Sequence, residues 1–412
     1  MTSALAPDTR RGDLRRLTLL VFVSALALYG LTAILGGNFH HQELAYFNQL
    51  AAALLRGDLY LANPDGTHDL ILYHSRWFVP FPPGPALLLL PFVALRGVAF
   101  NEVALSVAVG ALNVALMFRL LQVLASRSYS RLEQPGWLWL TSLFAAGTVH
   151  WYVSATGTVS FLAHTLSVTG LTAALWLAAD RRSPWLVGLA MGWTVLCRPT
   201  MALAAPALLA LMLLPAPDGS KGQEVAGWPR KLAGFVLPQA AAAALLLAYN
   251  QARFGNWLEF GYGWAQTQTP FLQERLATWG QFSLHYVPEN LRVALLGLPL
   301  LRSKPPFVWP QPVGLSVLLV TPTLLWLYQS VRRNWLVAAL WLSIGLISVP
   351  LVLYYNTGWV QFGYRFSLDW LPLAFVLLAI GIKTITPLVR ASVVAAWLVN
   401  LWGVVWWFAR FY

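Results

Sequence analysis

Residues 39–91 read FHHQELAYFNQLAAALLRGDLYLANPDGTHDLILYHSRWFVPFPPGPALLLLP, and the layout of the whole chain turns on them. They directly follow an apolar run over 17–35. They hold His40, His41, His68 and His74, four of the seven histidines, together with Glu43, Asp58, Asp65 and Asp69, four of the fifteen acidic residues. A passive span needs no such loop, whereas chemistry at a membrane surface does.

The sequence around the loop is that of a membrane protein. Of 412 residues, 58% are hydrophobic and 10% charged, with a mean hydropathy of +0.61. Soluble domains average roughly 45–50% apolar and about 25% charged. The chain is therefore polytopic, and its length does not count domains. The net charge of +12 does not indicate nucleic acid, because most Lys and Arg cluster beside apolar segments, as topology selection requires. The single cysteine, Cys197, excludes an intramolecular disulfide or a cysteine metal cluster and reads as a small buried apolar residue. The N-terminal RRGDLRR precedes an apolar run longer than the ~7–15 residues of a secretory signal, so a retained signal-anchor is expected.

A span needs ~20 apolar residues. The expected spans are 14–35, 103–124, 136–156, 158–179, 184–197, 199–215, 232–250, 313–331, 335–355, 368–386 and 388–410. Segment 84–99 is shorter and carries Pro85 and Pro91. With Arg10, Arg11, Arg15 and Arg16 inside, the clusters Arg127/Arg131, Arg181/Arg182, Lys221/Arg230/Lys231, Arg332/Arg333 and Lys383/Arg390 all fall inside only if 84–99 does not cross. The expected fold is thus all-α and polytopic, with about eleven transmembrane helices, the N-terminus cytoplasmic and the C-terminus outside. Segment 84–99 becomes an interfacial or re-entrant helix, and 184–215 a hairpin turning at Arg198-Pro199. One transmembrane domain covers 1–412. Its first outer loop, 37–102, carries interfacial helices and the catalytic candidates, and 251–312 forms a second large outer loop. All seven histidines then lie on or near the outer side, and mid-span polar residues are few.

Several outer residues carry chemistry. On a helix over 42–56, Glu43 shares a face with Phe47, Leu50 and Leu54, where partial desolvation would make it a better base; solvated complementing of a helix N-terminus is the other reading. His40, His41 and Glu43 could hold a divalent cation, although two residues on one face make a thin ligand set, and interface hydrogen bonding or a phosphate contact fits them better. Asp65 and Gly66 suit a turn, while Asp69 and His74 are less readily explained that way, and Arg76 lies beside them. Arg198, Arg253 and Arg365 end apolar segments where a phosphate headgroup would lie, and Arg offers it a bidentate fork. Snorkelling accounts equally for Arg198 and Arg253, as does an i,i+4 pair with Asp369 for Arg365. Tyr364, like other outer aromatic residues, suits sugar stacking or an interfacial belt.

In this order and spacing the first 210 or so residues resemble the GT-C superfamily of membrane glycosyltransferases, which includes protein O-mannosyltransferases and lipid A aminoarabinose transferases. The shared features are one span, an outer loop opening near an acidic dipeptide, a Pro-Pro turn into an apolar helix, paired spans and an Arg-Pro turn. Here Gln42-Glu43 stands at the Asp-Glu pair and Phe81-Pro82-Pro83 at the His-Pro-Pro turn. YNQARFGNWLEFGY and GWVQFGYRFSLDW are similar to a prokaryotic family-39-like group. The resemblance implies an enzyme of the cell's inner (plasma) membrane that moves a sugar from a polyprenyl-phosphate donor to a lipid, glycan or protein acceptor at the outer face, with inversion. Of the Asp-Glu pair only Glu43 carries over, as the catalytic base; Asp69, singled out by its own position, is the other catalytic candidate. His40, His41, His74, Arg76, Arg198, Arg253, Arg365 and Tyr364 would bind substrate, with no certain cofactor. The competing expectations are a lipid-linked sugar flippase or transporter and a non-catalytic envelope assembly protein.

Overall fold

The run of apolar residues after the N-terminal arginines folds into one helix, Pro7–Leu35, which stops at Gly36 and Gly37, the latter with a φ of 85°. The computed structural model describes residues 7–40, 44–219, 227–265, 269–331 and 334–411. His41, Glu43, Lys221, Arg332 and Arg333 lie outside them. The protein is an all-α membrane protein. Among the described residues, six helices are long and apolar enough to cross a bilayer: Gly12–Leu35, Glu102–Ser126, Ser160–Ala179, Trp228–Phe254, Trp335–Leu353 and Pro387–Arg410.

The other apolar segments are shorter or broken. The 136–156 run divides into Gln134–Ala146 and His150–Thr156. The 199–215 run begins as a 3-10 turn, Pro199–Ala204, before helix Ala205–Leu213, and 313–331 is one short helix, Val317–Val320, followed by the 3-10 stretch Pro322–Ser330. Where 368–386 reads as a span, a 3-10 turn, Arg365–Asp369, leads into helix Leu371–Gly381. Proline explains several of these breaks, since it has no N–H and cannot continue an α-helical ladder. Lipid supplies little drive for helices to associate, so small residues at crossings let backbones approach. Gly188 is one: a methyl group there would lie 2.5 Å from the Gly234 carbonyl oxygen.

Interhelical contacts sort the segment ends into two sets. At one end, Arg127 pairs with Asp180 and Asp218, Arg181 donates to the Met212 and Leu214 carbonyls, and Ser130 donates to Ala379; this is the basic end. At the other, Asn38 donates to Ala155 and Thr156, Arg253 donates to Val79, and Gly36 faces the Phe408 ring.

Segment 84–99 keeps both its ends at this second end. Gly84 abuts Leu196 and Cys197, where a methyl group would meet the Leu196 carbonyl oxygen at 2.6 Å. At its far end Asn48 donates to the Val98 and Phe100 carbonyls, and Asn101 donates to Phe39. Pro83 stands at the start of helix Gly84–Arg96 with a ψ of −5°, helical rather than the extended entry that a double proline favours. The loops 37–102 and 251–312 meet here through an isolated bridge between Ile71 and Ala265.

Two expectations are corrected inside the bundle. His150 is fully buried rather than outward. It joins Tyr29 Oη at 3.0 Å and Asn113 at 3.1 Å, and Thr169 donates to Asn113 at 2.6 Å. The spans therefore do carry a buried polar cluster, of the kind that joins helices by hydrogen bonds.

Candidate functional site

Above the turn at Arg198 lies a cavity of about 270 Å³, bordered by Asp69, Arg198 and Arg365 together with Tyr262, Tyr355 and Trp359. Three regions distant in sequence thus supply its charged groups.

Asp69 comes from the first outer loop. Residues Thr67–Leu70 form a turn, closed by the Leu70 N–H on the Thr67 carbonyl. Tyr46 Oη donates to the neighbouring His68 carbonyl at 2.8 Å, and Leu70 is fully buried. These contacts hold Asp69 at a φ of 62°, a left-handed conformation that aspartate tolerates better than most residues. Its side chain is 46% exposed, and one oxygen lies 3.6 Å from His68 Nε2. A carboxylate so placed is open to a ligand.

Arg198 ends helix Pro184–Cys197. Its Nε and Nη2 donate to the two oxygens of Asp369 at 2.7 and 2.8 Å, a bidentate fork. Thr200 also donates to Asp369, and His164 Nδ1 stands 3.3 Å from it. Both Asp369 and His164 are fully buried. The i,i+4 pair between Arg365 and Asp369 does not form: a 3-10 turn spans the two residues, and Asp369 faces Arg198 instead.

Arg365 is held by main chain. Its Nη1 donates to the Gly358 and Val360 carbonyls at 2.7 and 2.9 Å, and the Gln361 side chain accepts its backbone N–H. Its Nε has no partner, and among the described residues no carboxylate pairs with it. Two cationic side chains therefore border one cavity, one neutralised and one not. Burial pushes the Tyr262 phenol above its ordinary pKa, which keeps it a hydrogen-bond donor.

The other expected site residues stand away from the cavity. Arg253 is buried, donating to Val79 and Asn250 and stacked 4.0 Å over Tyr249; it ties the end of helix Trp228–Phe254 to the segment before Pro82. Tyr364 is buried, its ring 5.8 Å from that of Phe366. His74 and Ser75, both with positive φ, form the turn between strands Ile71–Tyr73 and Arg76–Phe78, a mirror-image turn suited to strand twist. His74 is exposed and stacks on Tyr73, Arg76 lies over Tyr60, and His40 is exposed beside Phe39.

Glu43 and His41 fall outside the described residues, but the expected helix over 42–56 is shorter than its periodicity implies. It runs Tyr46–Leu55, since Leu44 has a φ of 63° and Ala45 is not helical. Its start is capped by Glu102, whose Oε1 accepts the Asn48 N–H at 2.5 Å. Among the described residues no three His, Cys, Asp or Glu side chains gather as a metal site. Residue order did not reveal Asp369 as an ion-pair partner across the fold, nor Tyr355 in the aromatic wall; Tyr262 and Trp359 belong to the outer aromatic residues that suit sugar stacking or an interfacial belt. No family model, curated protein or solved structure matches this chain.

Proposed function

We propose that the protein is an integral membrane glycosyltransferase of GT-C-like architecture, moving a sugar from a polyprenyl-phosphate donor to a lipid, glycan or protein acceptor at the outer face. The observation that carries this reading is the joint presence of Asp69 and an unneutralised Arg365 on one aromatic-walled cavity at the end opposite the basic loops. Eleven apolar segments, six long helices and five shorter or broken runs, would cross the inner (plasma) membrane. The basic end would face the cytoplasm.

In this reading Asp69, or Glu43 in the neighbouring segment, takes the proton of an acceptor hydroxyl as its oxygen attacks the anomeric carbon from the face opposite the phosphate. The bond from the anomeric carbon to the phosphate oxygen breaks, and the lipid phosphate leaves carrying the electron pair. Arg365 would stabilise that developing charge, because electrostatic preorganisation acts where charge appears. Arg198, already matched by Asp369, would shape the floor more than bind phosphate. Aromatic side chains would stack on the sugar.

The test is mass spectrometry of surface glycans and lipid-linked sugars in cells with and without the protein, repeated with Asp69→Asn and Glu43→Gln. Loss of one glycan with build-up of one lipid-linked sugar is the expected result. Unchanged glycans in both variants would remove the enzyme reading and favour a flippase or assembly role.

A further inference from the structure

The basic end holds a feature that the outer chemistry does not use. Arg119 lies about two turns inside the C-terminal end of helix Glu102–Ser126, in an otherwise apolar stretch. It is half-buried, and among the described residues no carboxylate pairs with it. A cation at that depth is expensive and calls for a counter-charge.

It opens onto a groove of about 740 Å³ that Arg15 and Arg182 also line, above a floor that includes Leu19, Phe22 and Leu112. No carboxylate lines the groove among the described residues. Asp180 bonds Arg182 through Nε alone, at 2.8 Å. Trp176 also lines the groove, and its Nε1 is buried without a protein partner, although a buried indole N–H usually has one. The apolar side is open to lipid, with Leu19 61% and Leu112 42% exposed.

We infer that this groove binds one anionic glycerophospholipid of the leaflet at the basic end. Arg119, Arg15 and the terminal nitrogens of Arg182 hold the phosphate, while the acyl chains lie along Leu19, Phe22 and Leu112. Charge complementarity selects this occupant. Arg119 and Arg15, with no carboxylate partner among the described residues, and Arg182, which Asp180 engages at Nε, suit a phosphate, and the continuous apolar floor suits chains that a free anion lacks. The inference is independent of the chemistry at the other end.

The test is native mass spectrometry of the full-length protein released from nanodiscs of phosphatidylcholine mixed with phosphatidylglycerol. The wild type should retain one phosphatidylglycerol that Arg119→Gln holds about tenfold more weakly, the effect of losing one charge-assisted hydrogen bond. Arg390→Gln, at the same end but outside the groove, should retain it fully. Equal retention by Arg119→Gln, or equal loss in Arg390→Gln, would overturn the site. Displacement of the lipid by inorganic phosphate would reduce it to a simple anion site and overturn the lipid assignment. Should Arg119→Gln fail to fold, the wild type decides: its Tm should rise with phosphatidylglycerol and not with phosphatidylcholine, and identical Tm values overturn the proposal.

Discussion

At the cavity end, Arg198 meets a fully buried Asp369 across 171 residues of sequence. At the basic end, Arg127 and Arg182 meet Asp180 and Asp218 at partly exposed positions, and Arg181 donates to carbonyls. The first arrangement removes charge from solvent and fixes the distance between two segments. The second leaves charge near water, where pairs contribute little. A buried pair is costly to assemble and costlier to halve, so the cavity end should be the stiff and intolerant one. The same contrast recurs within the cavity, between the matched Arg198 and the unmatched Arg365.

Variants test this contrast at both ends of the molecule. The largest effect is expected from Asp369→Asn, which strands Arg198: thermal unfolding should show a loss of roughly 3–5 kcal/mol, with transfer abolished. A Tm near wild type would mean that the pair holds little together. Asp69→Asn should leave the Tm unchanged and lower transfer by about 10²–10⁴-fold, measured with a lipid-linked sugar donor. Full activity there, with Glu43→Gln inactive, would assign the base to Glu43.

Arg365→Lys tests the unmatched cation. It keeps the charge and loses the fork, so transfer should fall by about 10–100-fold, the range of one or two charge-assisted bonds, with less effect on folding than Asp369→Asn. If Arg198→Lys instead shows the larger loss of donor affinity at unchanged stability, the roles of the two arginines are reversed. Arg253→Lys should cost about 1–2 kcal/mol of stability through its bonds to Val79 and Asn250, read by thermal unfolding, while donor affinity changes little. The smallest change is expected at the basic end, where Arg127→Gln should shift stability by no more than about 0.5 kcal/mol.

Much of this layout was legible from residue order. Apolar runs and basic clusters marked the segments, set 84–99 apart and placed Asp69, Arg198 and Arg365 on the same side. Helical phase was less informative. It extended the helix over 46–55 back to Glu43, because periodicity cannot register the left-handed Leu44 that stops it. Nor does phase register that Asn48 is buried and donates to the carbonyls of 98 and 100. Spacing offered Asp369 to Arg365, but a 3-10 turn spans i,i+4 differently, and Arg198 was the stronger partner.

Residue order alone makes this a helical membrane protein with a polar, carboxylate-bearing loop after its first helix, because a bilayer imposes length and hydropathy locally, residue by residue. Which charges meet is a matter of packing. Pairing Asp369 with Arg198, sinking His150 among Tyr29 and Asn113, and bringing Asp69 to Arg365 all depend on how segments pack against one another. Those distances arise from side-chain volume and hydrogen-bond geometry across the fold, which no local pattern encodes.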